Sequence, residues 1–221
     1  MVILTLDTTG DYCRAGLQRD GQIFQKSIPA KRRQVEMVFP LLDELFQSAA
    51  VDRKDLKFIT VPIGPGSFTG VRLGAAIAQA IATALDLKTI TISSLKALAA
   101  TAFRLSRRTN IVVASDARGG EIYFAAYRFV HQLEEVETVI EDELVAPAKI
   151  SLPDYQDWAK AGSGWNAHMG KYRPDFNGCF DSRVSNAETA DILSLAEIEI
   201  RRGRYFNASD ISPVYLRHPV K

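Results

Sequence analysis

The chain has 221 residues, of which 47% are hydrophobic and 24% charged, a composition typical of a soluble globular protein. Its 27 basic and 26 acidic side chains leave a formal net charge of +1, which excludes an overall field that would draw it to nucleic acid or to a membrane. Two distant cysteines exclude a disulfide framework, and the N-terminus lacks the basic start of a signal peptide, so we expect a cytoplasmic protein.

Three β-patterned runs open the chain, at residues 2–6, 13–19 and 22–28. Asp20-Gly21, between the second run and the third, is a hairpin-turn signal. These runs predict a three-stranded meander.

A helical pattern follows over residues 33–49. Pro40 lies inside this pattern and should kink the helix or begin its regular part. The apolar side chains that keep helical spacing, and that we expect to form the core stripe, are Val35, Val38, Phe39, Leu42, Leu45, Phe46 and Ala49. Met37 and Leu41 lie off this stripe.

Residues 64–72, with the sequence GPGSFTGVR, form a sharp turn between a strand over 58–63 and a long, almost uncharged helical pattern. Ser67 or Thr69 can cap this helix. One interpretation is an anion site, in which free backbone N–H groups of the loop and Arg72 hold a phosphate. The alternative is a turn whose glycines let the helix pack closely on the sheet. No lysine follows the last glycine, so the loop is not a Walker A motif, and we favour the alternative.

The helix after this loop has two contrasting faces. One is apolar, is expected to bury against the sheet, and carries Leu73, Ile77, Ala80, Ile81 and Ala84. The other consists mostly of small residues and carries Arg72, Ala75, Ala76, Gln79 and Thr83. An exposed helix face normally carries more charge, so this surface predicts a subunit interface, which Met37 and Leu41 would extend. The alternative is coverage by the chain's own second half. Polar residues interrupt the apolar stretch and argue against a membrane span.

The order of strands and helices predicts a mixed α/β sheet with helices on its faces. A polar, basic stretch at 106–110 suggests a boundary between lobes 1–105 and 106–221. Asp7-Thr8-Thr9-Gly10 ends the first strand, and Asp116-Ala117-Arg118-Gly119 ends another strand 109 residues later. Each is followed by two further β-patterned runs, so we predict a duplicated fold, the alternative being a shared hairpin habit.

The other elements predicted in the second half are strands at 111–115, 121–130 and 136–140 and helices at 151–160 and 187–203. The tail over 213–217 is apolar enough to dock on the rest of the protein.

The two hairpins supply the candidate residues for a nucleotide or a phosphate, which are Asp7, Thr8, Thr9, Asp116 and Arg118. Carboxylate and hydroxyl oxygens after a strand could hold a phosphate or an Mg²⁺-bound water, as the phosphate hairpins of duplicated actin-like folds do. The alternative is an ordinary hairpin turn capped by Asp and Thr, with Arg118 paired to Glu121 at the surface.

Five motifs make the chain resemble the TsaB (YeaZ) family nearly end to end. They are ILTLDTT at 3–9, GPGSFTGVR at 64–72, DARGGEIY at 116–123, GSGW at 162–165 and PVYLR at 213–217. The resemblance implies a duplicated actin-like (ASKHA) fold. It also implies a non-catalytic binding and activating subunit for N6-threonylcarbamoyladenosine formation at position 37 of tRNA.

The resemblance further implies a heterodimer with the catalytic paralogue TsaD, work with the ATPase TsaE, self-association as a homodimer, and tRNA contact only through the complex. It places both kinds of dimer on the first two long helices, at about 33–49 and 70–85, which adds the candidates Arg33, Glu36, Pro40 and Gly70. No intrinsic cofactor is expected, and ATP or ADP would bind at the complex interface. One departure is Gln34, where the family often has a histidine.

Two enzyme alternatives remain open. Asp7 and Asp116 would suit an ATP-dependent phosphotransferase or ATPase of the same fold. A metalloprotease is less expected, because the three histidines, His131, His168 and His218, lack metal-ligand spacing.

Overall fold

The computed structural model describes residues 1–30, 33–130, 135–151 and 157–217, and the side chains of Asp175 and Asn177 lie outside the description. His131 and His218 also lie outside the described residues.

The first sheet begins with the predicted meander. Its strands are β1 (Val2–Asp7), β2 (Tyr12–Arg19) and β3 (Gln22–Pro29), and neighbouring strands run antiparallel. Asp20 and Gly21 both have positive φ, 50° and 83°, as the tight two-residue hairpin requires. The hairpin prediction is therefore confirmed.

Two parallel strands complete this sheet and alternate with helices. The further elements are α1 (Gln34–Ala49), β4 (Leu56–Pro62), α2 (Phe68–Leu85) and β5 (Lys88–Ile92). The strand order is β3-β2-β1-β4-β5, with β1, β4 and β5 parallel. Successive side chains of a strand point to opposite faces, so β1 is buried on both: Leu4 joins the core under α1 and α2, and Thr5 faces the other side.

The second sheet repeats this plan. Its region contains α3 (Ser94–Ser106), β6 (Asn110–Arg118), β7 (Glu121–Val130), β8 (Glu135–Val145), β9 (Trp158–Ala161), α4 (Gly164–Ala167) and β10 (Phe180–Asp181). The order β10-β9-β6-β7-β8, with an antiparallel β6-β7-β8 meander and parallel β6, β9 and β10, matches the first sheet strand for strand. The predicted duplicated actin-like fold is confirmed.

The predicted helix at 151–160 is not found where the structure describes that stretch. Residues 152–156 lie outside the described residues, and Trp158–Ala161 is strand β9, paired in parallel with β6. Pairing with the central strand outweighs the helical preference of its alanines.

The compact units differ from the predicted lobes 1–105 and 106–221. One unit comprises Met1–Ser94 and Thr189–Val214, and the other comprises Leu95–Glu188 with the tail from Tyr215. The reason is the last helix, α5 (Thr189–Arg201), which packs on the first sheet. Gly16 of β2 lies directly beneath it, since a Cβ there would come within 2.2 Å of the Thr189 methyl carbon.

The tail docks, as predicted. The Val214 amide donates to the Ile63 carbonyl at 2.9 Å. Arg217 pairs with Glu121 at 3.0 Å and also donates to the carbonyls of Ala117 and Arg118.

Candidate partner-binding surface on the first two helices

The glycine loop brings α2 against the end of β1. Ser67 is the N-cap: its Oγ accepts a hydrogen bond from the Gly70 amide at 3.3 Å, whereas Thr69 is exposed. A Cβ at Gly70 would lie 2.0 Å from the Thr8 carbonyl oxygen, which is closer than any real contact. The glycine therefore serves close packing of the helix on the sheet.

Two backbone donors of this loop already have hydrogen-bond partners within the protein. The Ser67 amide donates to the Thr9 carbonyl at 3.1 Å, and the Gly70 amide is taken up by the Ser67 cap. Arg72 lies with its guanidinium carbon 3.3 Å from the centroid of the Phe68 ring, a cation–π contact one turn apart on α2. These contacts match the close-packing interpretation of the loop better than a phosphate cradle.

The faces of α2 differ from the prediction by a rotation of roughly 100°, one residue of an α-helix. Gly70 and Ala75, predicted as interface residues, are buried in the protein's own core. Ala80 and Ala84, predicted as core residues, are exposed. The rotation arises because the side of α2 that carries the glycines Gly70 and Gly74 packs closest to the sheet. The residues beside these glycines are therefore buried.

The four other predicted α2 candidates are exposed. Arg72, Ala76, Gln79 and Thr83 all face outward, as predicted. Phe68, which the sequence analysis did not single out, is 63% exposed.

The buried and exposed faces of α1 also differ from the prediction. Leu41 is only 4% exposed, and Met37 packs half-buried against the core, so neither extends an outer surface. Val35 and Phe39, assigned to the core stripe, are instead 61% and 56% exposed. Phe39 lies in line with Asp43, one turn further along the exposed side of the helix.

The remaining α1 candidates lie at the surface. Arg33 and Glu36 form an exposed ion pair at 2.8 Å, and Pro40 is exposed inside the helix. Since α1 and α2 contact each other, their outer sides belong to one region of the unit. We call this region the docking face and define it by its exposed apolar and small residues, Val35, Phe39, Phe68, Ala76, Ala80 and Ala84.

By length and composition alone, α2, with a mean hydropathy of 1.3 over its 18 residues, passes a test for a membrane-spanning helix. A core helix of a soluble protein passes the same test, and α2 packs on β4, β1 and β5.

The first hairpin holds its carboxylate tightly. Asp7 Oδ1 accepts hydrogen bonds from the Thr9 amide at 2.8 Å and from Thr9 Oγ1 at 2.7 Å. Its other oxygen lies 3.9 Å from the Arg14 guanidinium. Thr8 Oγ1 donates to the Gly70 carbonyl at 2.6 Å. This geometry is that of a turn capped by Asp and Thr.

The second hairpin repeats the turn with different partners. Asp116 Oδ1 accepts from the Arg118 amide at 2.9 Å and lies 3.0 Å from His168 Nε2. The Arg118 amide and His168 hold the pKa of Asp116 below its usual range. Glu121 pairs with Arg217 and not with Arg118, because the tail brings Arg217 to this turn.

Sequence reasoning missed His168 as the partner of Asp116, since 52 residues separate the two and a lone histidine has no motif around it. Its ring is buried, and Nδ1 has no hydrogen-bond partner within the described part of the chain. At the turn from β9 into α4, a cavity of about 350 Å³ is lined by Ala161, Gly162, Trp165, Asn166, Asp181, Arg183, Val184 and Ser185. No group of three His, Cys, Asp or Glu side chains among the described residues is arranged to hold a metal ion.

Comparison with known proteins shows the family to which the chain belongs. The family model described as TsaD, tRNA N6-adenosine threonylcarbamoyltransferase, matches residues 28–190. The tRNA threonylcarbamoyladenosine biosynthesis protein TsaB of Haemophilus influenzae is 30% identical, over the whole of this chain and 95% of the relative. The chain belongs to the TsaB family. The Escherichia coli TsaB is also 30% identical, over the whole of this chain and 96% of its own length.

A solved structure agrees with this assignment. YeaZ from Pseudomonas aeruginosa superposes with a TM-score of 0.89 at 29% identity, covering 97% of this chain and 99% of that one. The TsaB family, the duplicated fold and a role in tRNA threonylcarbamoyladenosine biosynthesis, all expected from the sequence, are thereby confirmed.

Proposed function

We propose that this TsaB-family protein is a non-catalytic, activating subunit that binds the catalytic paralogue TsaD through the docking face. The observation that carries the proposal is the exposure of large apolar side chains on two adjoining helices of one unit. Such side chains, together with small residues that permit close approach, are typical of interface cores.

The chemistry of the docking face supports a protein partner. On α2 its outward side carries one charged residue, Arg72, whose guanidinium already lies against Phe68. Aromatic rings and arginine are the residue types that dominate interface energetics. On α1 the rim is polar, because Arg33 and Glu36 pair there. An apolar centre with a polar rim is the usual anatomy of a specific interface.

The proposal leaves catalysis to the partner. Asp7, the best candidate for handling a nucleotide in this unit, already accepts two hydrogen bonds from Thr9 and lies beside Arg14. We propose that the chain has no cofactor of its own and that ATP or ADP binds at the interface of the complex. We also propose that TsaE joins the complex, that a homodimer uses the same face, that tRNA is reached through the complex, and that the protein acts in the cytoplasm.

Co-purification with TsaD tests the docking face. Ala76→Arg places a charge at the centre of the face on an exposed residue and should weaken binding by about 30-fold or more, the cost of losing a hot spot. Ala148→Arg, which adds the same charge at an exposed alanine of the second unit, is the matched control and should bind as wild type. Equal binding by both variants would refute the docking face.

Mass spectrometry of tRNA tests the activating role. Depletion of the protein should lower threonylcarbamoyladenosine, and the purified chain should restore modification only together with TsaD. Unchanged modification after depletion would refute the role. Hydrolysis of ATP by the isolated chain, lost in Asp7→Asn, would instead support an ATPase.

A further inference from the structure

The hairpin Asp7–Gly10 joins β1 to β2 and also contacts the first turns of α1 and α2, the two helices of the docking face. The carbonyl of Thr9 accepts a hydrogen bond from the amide of Ser67, the N-cap of α2. The carbonyl of Gly10 accepts a hydrogen bond from Gln34 Nε2 of α1 at 3.2 Å. One turn of four residues therefore holds the first turns of two helices.

Thr8 makes the shortest of the hydrogen bonds between the hairpin and the two helices. Its side chain is completely buried, and Oγ1 donates to the Gly70 carbonyl at 2.6 Å across 62 residues of sequence. The helix has glycine at the two positions that face this threonine. A Cβ would lie 2.0 Å from the Thr8 carbonyl oxygen at Gly70 and 2.8 Å from Thr8 Oγ1 at Gly74. Glycine at both positions is thus what lets α2 approach the sheet closely enough for this hydrogen bond.

The tie to α1 is of a similar kind. Besides the bond between Gln34 and Gly10, Cys13 Sγ lies 3.7 Å from the Gln34 carbonyl oxygen. Burial, reinforced by the charge of Asp7, raises the pKa of Cys13 to about 11, so the thiol keeps its proton and can donate. The Gln34 side chain therefore anchors the start of α1 to the hairpin.

The hairpin itself is stiff. Asp7 Oδ1 accepts hydrogen bonds from both the amide and the hydroxyl of Thr9. These bonds close the turn between the residues that contact α2 and the residue that contacts α1. A displacement of α2 would have to break the Thr8 bond or distort this turn. The contact that holds α2 to this turn is therefore made by Thr8, whose side chain is buried and out of reach of a partner.

We propose that Thr8 is a positioning residue for partner binding, which acts by fixing α2 relative to α1 so that the docking face is formed before the partner arrives. This inference rests on the proposed function. Without the Thr8 hydroxyl, the docking arrangement would be one of several that the helix pair samples. The apparent dissociation constant rises by the inverse of the fraction that remains competent to bind.

The test is calorimetric titration of the full-length chain with purified TsaD of the same organism. Thr8→Val keeps the shape of the side chain but removes the donor, and we expect about tenfold weaker binding, a competent fraction of about one tenth. Thr8→Ser keeps the hydroxyl and should bind within about twofold of wild type.

The matched control is Thr5→Val, in the same strand. Thr5 is equally buried, and its Oγ1 has no hydrogen-bond partner in the part of the chain that the structure describes. This variant should bind TsaD as tightly as wild type does, because it removes no hydrogen bond to either α1 or α2. Near-UV circular dichroism must show every variant folded at the titration temperature, so that partial unfolding cannot account for a change in Kd.

The outcomes separate the two proposals. If wild type binds and Thr8→Val binds equally well, the positioning role is refuted and the docking face stands. If wild type does not bind, the proposed function fails and the positioning role fails with it. Should Thr8→Val not fold, Gln34→Met removes the tie from α1 at a half-buried side chain and must show the same weakening.

Discussion

The two sheets have the same strand order, yet the segments that follow their glycine turns differ greatly. Gly64 follows β4 and Gly162 follows β9, with nearly equal positive φ values of 103° and 107°. In the first unit the turn leads into α2, a helix of 18 residues, and in the second into α4, with four. The last strand shortens likewise, from the five residues of β5 to the two of β10.

The difference shows which part of a duplicated fold remained free to diverge. Strand pairing and the glycine turn are kept in both halves, because each sheet needs them to form. The helical layer needs only to cover one face of the sheet. In the first unit it does so with a helix whose outer side also presents the apolar residues of the docking face. In the second unit Trp165 of the short α4 packs with Tyr172 and Phe176, which follow the helix, in an aromatic cluster.

Substituting one closely packed glycine in each unit, Gly70 of α2 and Gly162 of the second turn, tests whether both halves depend on close approach. Gly70→Ala would put a Cβ 2.0 Å from the Thr8 carbonyl oxygen, and Gly162→Ala would put one 2.2 Å from that of Ala114. Both neighbours are backbone atoms that cannot rotate away, so each change should lower the free energy of unfolding by about 3 kcal/mol, measured by urea denaturation.

Gly178→Ala is the control for this comparison, because an added Cβ there meets nothing within 4 Å. It should change the free energy of unfolding by less than about 0.5 kcal/mol. If Gly70→Ala were as mild as Gly178→Ala, close packing would not explain the glycine of the first unit.

Adjacent alanines of α2 separate folding from binding. Ala75 is 5% exposed and Ala76 faces outward, although the sequence placed both on one face. Ala75→Glu buries an unpaired carboxylate and should lower the free energy of unfolding by about 3 kcal/mol or more. Ala76→Glu should unfold like wild type but fail to bind TsaD. Equal thermal stability of the two variants would contradict the rotation of α2 seen in the structure.

Local signals were sufficient for most of the sheet. The meander, the Asp20-Gly21 hairpin, an N-cap at Ser67 or Thr69 and the recurrence at Asp116 follow from short patterns whose physical causes lie within a few residues. The duplication could be predicted because it repeats such a pattern at a fixed distance along the chain.

The orientation of α2 could not be predicted from its apolar periodicity. Glycine adds no hydrophobic weight to a helical pattern, yet Gly70 and Gly74 determine which side meets the sheet, since only there can the backbone approach Thr8. That contact joins residues 62 positions apart. On α1, Val35 and Phe39 kept the spacing of a core stripe although both lie at the surface. Periodicity does not distinguish the core side of a helix from an apolar outer side.

The smallest expected effect concerns the hairpin carboxylate of the second unit. The Arg118 amide and His168 favour the ionised form of Asp116 and lower its pKa, so the folded state keeps this carboxylate charged at a pH where the unfolded chain protonates it. Its contribution to stability is therefore present above the ordinary aspartate pKa of about 3.9 and is lost as pH falls through the lowered value. Asp116→Asn retains an oxygen that can accept from the Arg118 amide but removes the charge.

The difference in free energy of unfolding between wild type and Asp116→Asn should be largest above about pH 5 and should shrink towards pH 3. Because the Asp116 side chain is 35% exposed, solvent screens the interaction, and the difference should be smaller than that of either the glycine or the Ala75 variants. Urea denaturation at several pH values measures it. A difference that stays constant over this range would show that the hydrogen bonds of the turn, and not the charge of Asp116, distinguish the second hairpin from the first.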